Sequence, residues 1–296
     1  MRQKHILALL VQPNISLKLK AIQGLIKPEL PFAAGVCVIA GQIMSLGHLP
    51  STEYAIWGFL VGFFLSGSAM VSNDYFDVEV DRVNHPARPL PSGSVSMKEV
   101  VMLTVLLSFA GMTLAALFGQ AAFIFAAIIL AVGILYNWKI KESGIAGNLM
   151  VSFSVASTFL FGGLSVGALS NPLVWTFASI AFLFNLAEEI ASGAMDIKGD
   201  RLRGSRSIAI LKGRDYALRI SGGILAILMM LSLVPFFAGW LGAVYLFIAA
   251  ITDSLLILIF LRLYRSRTPE DGRREIRHLY IAMTCFVVAF MINIII

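Results

Sequence analysis

Charge is what this chain has least of: Asp, Glu, Lys and Arg make up 14% of its 296 residues, against 58% hydrophobic ones. That excludes a soluble domain of this length, which carries about a quarter charged residues. With a mean hydropathy of +0.84, the chain reads as a polytopic membrane protein. Cysteine is nearly absent. Cys37 and Cys285 lie in apolar runs without the close spacing of a redox or zinc motif, so two buried thiols acting as small apolar residues are expected. His5, His48, His85 and His278 are scattered without ligand spacing and read as interfacial or solvated. No small-residue cleavage site follows the short apolar run Ile6–Val11, which is too short to span; residues 1–25 read as an interfacial segment carrying Arg2, Lys4, Lys18 and Lys20. The net charge of +6 would suggest nucleic acid in a soluble protein. In a membrane chain, topology and anionic headgroups account for it, and no nucleic-acid partner is expected.

A span needs about 20 largely apolar residues. On that basis nine segments are predicted, at 29–47, 53–73, 99–118, 120–138, 145–167, 172–193, 217–238, 241–262 and 278–296. The intervening loops alternate sharply. All 23 Lys and Arg residues fall on one side, in or beside 1–28, 74–98, 139–144, 194–216 and 263–277. The other side receives short links such as Gly47–Ser51 and Leu169–Pro172, with no Lys or Arg. The positive-inside rule makes the basic face cytoplasmic, so the N-terminus is expected inside and the C-terminus outside. The expected architecture is all-α: one integral membrane domain over 1–296, nine transmembrane helices, in the cell membrane.

Two acidic motifs stand on the basic side, in the loops 73–98 and 193–216. The first is Asn73-Asp74-Tyr75-Phe76-Asp77-Val78-Glu79-Val80-Asp81-Arg82 and the second Asp196-Ile197-Lys198-Gly199-Asp200-Arg201. Residues four apart on a helix turn by about 40 degrees, so Asn73, Asp77 and Asp81 line one stripe, and Asp196 and Asp200 another. The motifs follow the second and sixth spans, and four spans restore the same orientation, so both face the cytoplasm. One Asp-x-x-x-Asp could be a solvated helix end. Two on one face, each followed by Arg, point to metal ions and a polyanion held at the rim of an apolar bundle. Mg²⁺ takes oxygen ligands from one or two carboxylates, waters and substrate phosphates, and with Lys or Arg it would neutralise a leaving diphosphate.

The string from Asn73 to Gly93, continuing through Asn84, Pro86, Arg88, Pro89, Ser92 and Gly93, resembles the first signature of the UbiA superfamily of intramembrane prenyltransferases. Asp196 to Gly204 resembles that superfamily's second aspartate motif. Lys27-Pro28 and Tyr136-Asn137-Trp138-Lys139-Ile140-Lys141 are similar to its flanking elements. The resemblance implies nine helices around a central cavity capped by both motifs on the cytoplasmic side. It implies Mg²⁺-dependent transfer of an isoprenyl group from a prenyl diphosphate, such as geranylgeranyl diphosphate, to a lipophilic acceptor. Carried over by position, Asn73, Asp77 and Asp81 would bind one metal ion and Asp196 and Asp200 a second, these aspartates forming the catalytic set. Lys27, Arg82, Arg88, Lys139, Lys141 and Arg201 would hold diphosphate oxygens, and Tyr136 would line the chamber. The run from Glu188 to Asp200 is similar to archaeal digeranylgeranylglyceryl phosphate synthases, which move a geranylgeranyl group onto geranylgeranylglyceryl phosphate. Glu188, Ser192-Gly193 and Lys198 depart from that subgroup's residues, and a quinone or chlorophyll-type acceptor stays open.

Ionisable groups within spans are costly and face the bundle interior by default. Glu189 lies two turns before Asp196 and is expected either to orient the second metal set, to act as a base toward the acceptor, or, like Glu188, to cement helices. Asp253 reads as helix cement, sharing hydrogen bonds with Thr252 and Ser254. Arg203, Arg206, Lys212 and Arg214 read as topogenic, and Arg262–Arg277, with a turn at Thr268–Gly272, as a plain cytoplasmic loop. Two other classes compete. An ion-coupled transporter expects carboxylates at mid-membrane on broken helices in inverted repeats, whereas these sit at one rim in parallel orientation. A phosphatidyl transferase of the CDP-alcohol type expects an Asp-Gly…Ala-Arg run ahead of its aspartates, which this chain lacks.

Overall fold

A computed structural model describes residues 15–202 and 204–295. Arg2, Lys4, His5, the run Ile6–Val11 and Arg203 lie outside the described residues. Among those described there are no strands, and nine helices are long and apolar enough to cross a membrane. A short helix α1 (Ile15–Ile26) leads into the spans α2 (Glu29–Leu46) and α3 (Thr52–Phe76). The first acidic motif continues as the short α4 (Val78–Asn84), followed by spans α5 (Met97–Leu117), α6 (Gln120–Leu135) and α7 (Ile145–Ser165). Span α8 (Pro172–Met195) passes into the short α9 (Ile197–Leu202) and α10 (Ile208–Lys212), and spans α11 (Arg214–Phe237), α12 (Ala243–Arg265) and α13 (Pro269–Ile295) close the chain.

Helix starts follow the local chemistry. Ser96 and Glu99 cap each other's backbone N–H groups at the head of α5, and Asn171 with Pro172 opens α8. The same chemistry corrects the expected loop 263–277. The Thr268 hydroxyl accepts from Asp271 N at 3.1 Å, with Pro269 in the first turn and Glu270 and Asp271 beside it. Cap, proline and acids together favour a helix N-terminus, so the last span begins nine residues earlier than hydropathy places it. The segment Thr268–Gly272 is therefore a helix head.

Span α8 packs against α7, α11 and α13, and α2 packs against α3 and α7. In lipid, apolar burial does not hold helices together, so close backbone approach must. Gly41 and Gly162 provide it: a methyl group on Gly41 would lie 2.3 Å from Phe159 O, and one on Gly162 would lie 2.3 Å from Val38 O. Gly162→Ala is expected to lower the apparent melting temperature in detergent, the overpacking costing about 1–3 kcal/mol; an unchanged melting curve would mean that α2 and α7 do not cross there. Large apolar side chains such as Phe109, Met230 and Phe247 are exposed on the bundle's outside, as lipid requires. Cys285 is exposed as well, against the expectation of burial, while Cys37 is half-buried; an apolar residue in a span has no preference for the interior over lipid. Asp253 accepts from Ser232 Oγ on α11 at 2.8 Å, whereas Thr252 and Ser254 bond their own helix at Ile248 O and Ala250 O. It cements helices as expected, with a different partner: side chains adjacent along a helix point about 100 degrees apart.

Helix α1 positions the first motif loop. Its Ala21 and Leu25 pack with Val71, Leu90 and Val95. Lys18 Nζ donates to Ser94 O at 3.1 Å and pairs with Glu99 at 2.6 Å.

Candidate active site

The stripe expected of the first motif survives the change of helix at Asp77. Backbone bonds Asp77 N to Asn73 O (3.0 Å) and Asp81 N to Asp77 O (2.8 Å) keep the four-residue repeat through the junction. Asn73 Nδ2 donates to Asp77 Oδ2 at 3.0 Å. The second motif repeats this geometry, with Asp200 N bonded to Asp196 O at 2.9 Å.

Lys141 joins the two motifs. Its Nζ donates to Asn73 Oδ1 at 3.0 Å and contacts Asp77 Oδ2. It also lines a cavity of about 170 Å³ together with Tyr136, Asn148, Glu189, Asp196 and Asp200. Both motifs therefore stand at one mouth of the bundle. The backbone that presents Lys141 is unusual: Tyr136–Ile140 is wound as a π-helical turn, with Lys141 N bonded to Tyr136 O at 3.0 Å. Such turns carry one surplus residue and recur at functional sites. Asn137 fixes the turn by donating to Ala69 O and Ser72 Oγ, both at 2.9 Å, one turn before Asn73. On the far wall, Arg206 N bonds Glu142 O at 3.0 Å. There Gly144 has φ 74°, and a methyl group on it would meet Arg206 O at 2.1 Å, so only glycine lets the two loops cross.

Four of the aspartates have a counter-ion in contact, Asp77 with Lys141 among them. Asp81 is wholly buried and pairs with Arg88 at 2.5 Å. Asp196 pairs with Arg273 at 2.7 Å. Asp74, also buried, pairs with Lys27 at 2.8 Å. Lys27 holds this position with φ 49°, a left-handed conformation that costs a non-glycine residue about 1–2 kcal/mol. Asp200 accepts from Ser205 N at 3.1 Å through its backbone carbonyl.

Among the described residues no three His, Cys, Asp or Glu side chains converge as a ready-made metal cage. The donor set nonetheless fits a hard cation. Asp81 Oδ1 and Asp74 Oδ2 are buried acceptors without a hydrogen-bond partner, and the oxygens of Asn73, Asp77, Asp81, Asp196 and Asp200 are the type that Mg²⁺ takes.

Of the sequence-predicted phosphate ligands, Lys27, Arg88 and Lys141 gather on the carboxylates, and Tyr136 lines the cavity. Three others lie elsewhere. Arg82 turns to Glu79 one turn back on an exposed face, at 2.8 Å. Lys139 is exposed with Nζ 4.2 Å from the Trp138 ring centre, because side chains two residues apart on a helix point to nearly opposite sides. Arg201 is exposed and is not among the cavity-lining residues. Two functional candidates do not stand out in the sequence. Arg273 falls in the expected loop 263–277, although the Thr-Pro-Glu-Asp helix start sets it one turn inside α13. Asp74 is one letter of the motif string, and nothing in the spacing ties it to Lys27.

Residues 34–291 match the UbiA prenyltransferase family. The chain belongs to that family. It is a prenyltransferase, and the transporter and phosphatidyl-transferase alternatives fall with that assignment. The digeranylgeranylglyceryl phosphate synthase of Thermococcus kodakarensis is 34% identical over 277 residues, covering 93% of this chain and 98% of that one. The synthase of the same name from Methanococcus aeolicus is 31% identical over 94% and 99% of the two chains. Among solved structures, one from work on digeranylgeranylglyceryl phosphate synthase in membranes superposes with a TM-score of 0.79 at 29% identity, covering 94% of this UbiA chain and 99% of the other. A UbiA homolog from Archaeoglobus fulgidus, bound to GPP and Mg²⁺, shares the fold at 18% identity with a TM-score of 0.70, over 93% and 99% of the chains.

Proposed function

We propose that this UbiA prenyltransferase transfers a geranylgeranyl group from geranylgeranyl diphosphate to geranylgeranylglyceryl phosphate, the ether-lipid reaction of its named relatives. The observation that carries the reading is 34% identity to such a synthase across nearly the whole of both chains. The site's geometry agrees with it. Lys27, Arg88 and Lys141 stand where they would grip the diphosphate, exchanging their carboxylate partners for phosphate oxygens. Asn73, Asp77 and Asp81 would hold one Mg²⁺, and Asp196 and Asp200 a second. Bound there, Mg²⁺ would neutralise the charge that builds on the leaving diphosphate. Below the rim, buried apolar side chains of α8 such as Phe184, Leu186 and Ile190 would keep water from the allylic cation until the acceptor attacks. The basic loops support an N-terminus and a site mouth on the cytoplasmic side of the cell membrane.

The test is acceptor-dependent pyrophosphate release by detergent-purified protein given Mg²⁺, prenyl diphosphates of several lengths, and one of three acceptors: geranylgeranylglyceryl phosphate, 4-hydroxybenzoate or a naphthoate. Release with geranylgeranylglyceryl phosphate alone is the expected result. Turnover of either aromatic acceptor in its place would reassign the enzyme to quinone-type prenylation.

A further inference from the structure

Two adjacent acids near the end of α8 have opposite surroundings. Glu188 is buried, and accepts from Ser192 Oγ and from Tyr280 OH, each at 2.6 Å. It ties α8 to α13, and its oxygens are engaged. Glu189, turned about 100 degrees from it, faces the cavity beside Tyr136. No described side chain donates a hydrogen bond to it. A carboxylate within a span is expensive unless something engages it, and the cavity that Glu189 faces, lined also by Tyr136, Lys141 and Asp200, is the space where reactants would sit.

Its depth fits that space. Glu189, Gly193, Asp196 and Asp200 follow one another at helical spacing and all line the cavity. Glu189 lies about 10 Å further along the helix axis from the rim than Asp196, at 1.5 Å per residue. Gly193 stands between them with no side chain to obstruct the wall. With the diphosphate held at the rim by the aspartates and cations, the prenyl C1 atom and the attacking oxygen fall on the Glu189 side.

Transfer to a glycerol hydroxyl has a proton to place. The bond from C1 to the bridging diphosphate oxygen breaks, and its electron pair leaves with the diphosphate. A bond forms from C1 to the hydroxyl oxygen, which must then lose its hydrogen. We propose that the Glu189 carboxylate receives that proton, acting as the general base for O-prenylation. This rests on the ether-lipid reading of the acceptor.

The experiment separates ionisation from transfer. Transfer is followed with labelled geranylgeranyl diphosphate and geranylgeranylglyceryl phosphate. Ionisation is followed as scrambling of an ¹⁸O label from the bridging to the non-bridging positions of recovered donor, with a 2-deoxy acceptor analogue in the site. Glu189→Gln is expected to lower transfer by about 10²–10⁴-fold, the usual contribution of a positioned base, while scrambling continues at the wild-type rate. Glu189→Asp, which keeps a carboxylate, is expected to recover part of the transfer. Wild-type transfer in Glu189→Gln would overturn the proposal and leave the departing diphosphate as proton acceptor. An equal fall in transfer and scrambling in both variants would overturn it too, in favour of a structural role. Wild-type protein inert toward geranylgeranylglyceryl phosphate would refute the acceptor reading before any variant is made.

Discussion

Asp77→Asn and Asp196→Asn are each expected to lower acceptor-dependent pyrophosphate release by about 10²–10³-fold or more, the loss seen when one group stabilising transition-state charge is removed. The substitution is nearly isosteric. An amide oxygen can still accept from Lys141, which now contacts Asp77, or from Arg273, which now pairs with Asp196, so both proteins should fold and bind detergent as the wild type does. What each loses is a full negative charge toward Mg²⁺. A rise in the Mg²⁺ concentration needed for half-maximal activity should accompany the loss, and chelation of Mg²⁺ should silence the wild type. Full activity in both variants would defeat the assignment of the two motifs as metal sites.

Arg88→Ala is expected to act first on stability. Asp81 is wholly buried, its Oδ2 faces Arg88 at 2.5 Å, and its Oδ1 has no partner. Removing the guanidinium strands a charge inside the protein. Breaking a buried pair costs roughly 3–5 kcal/mol, and because Arg88 is one-third exposed, so that water can follow it in, about 3 kcal/mol is the better expectation. The measurement is the apparent melting temperature in detergent, with and without Mg²⁺ and pyrophosphate. Because the stranded carboxylate is one proposed to hold metal, Mg²⁺ should restore more stability to Arg88→Ala than it adds to the wild type. Equal shifts in the two would separate Asp81 from the metal site.

The sequence made the spans legible because a bilayer punishes every unpaired backbone group and every stray charge, leaving hydropathy little freedom. Among the described residues, eight of the nine helices both start and end close to the expected places for that reason. The last failed where polar chemistry overrode hydropathy: Glu270, Asp271, Arg273 and Arg274 look like loop residues, yet Thr268 and Pro269 start a helix through them. At the site, the Asn73, Asp77 and Asp81 stripe was readable because four-residue spacing is a local property of a helix. The partners were not. Whether Glu188 or Glu189 faces the cavity depends on the rotation of α8 against α13, which neighbouring helices set. Lys139 and Lys141 look interchangeable in sequence, and only the backbone between Tyr136 and Lys141 decides which of them reaches Asp77.

That wide turn also fixes the phase of everything after it. Five residues there take the place of four, so deleting one from Trp138–Ile140 would let the segment relax into ordinary winding with Lys141 N still bonded to Tyr136 O and its ammonium still at the cavity. Hydropathy and length would barely register the change. Distant kin that lack the surplus residue would carry this cation four positions after the tyrosine instead of five, and an alignment without a gap there would pair the wrong residues.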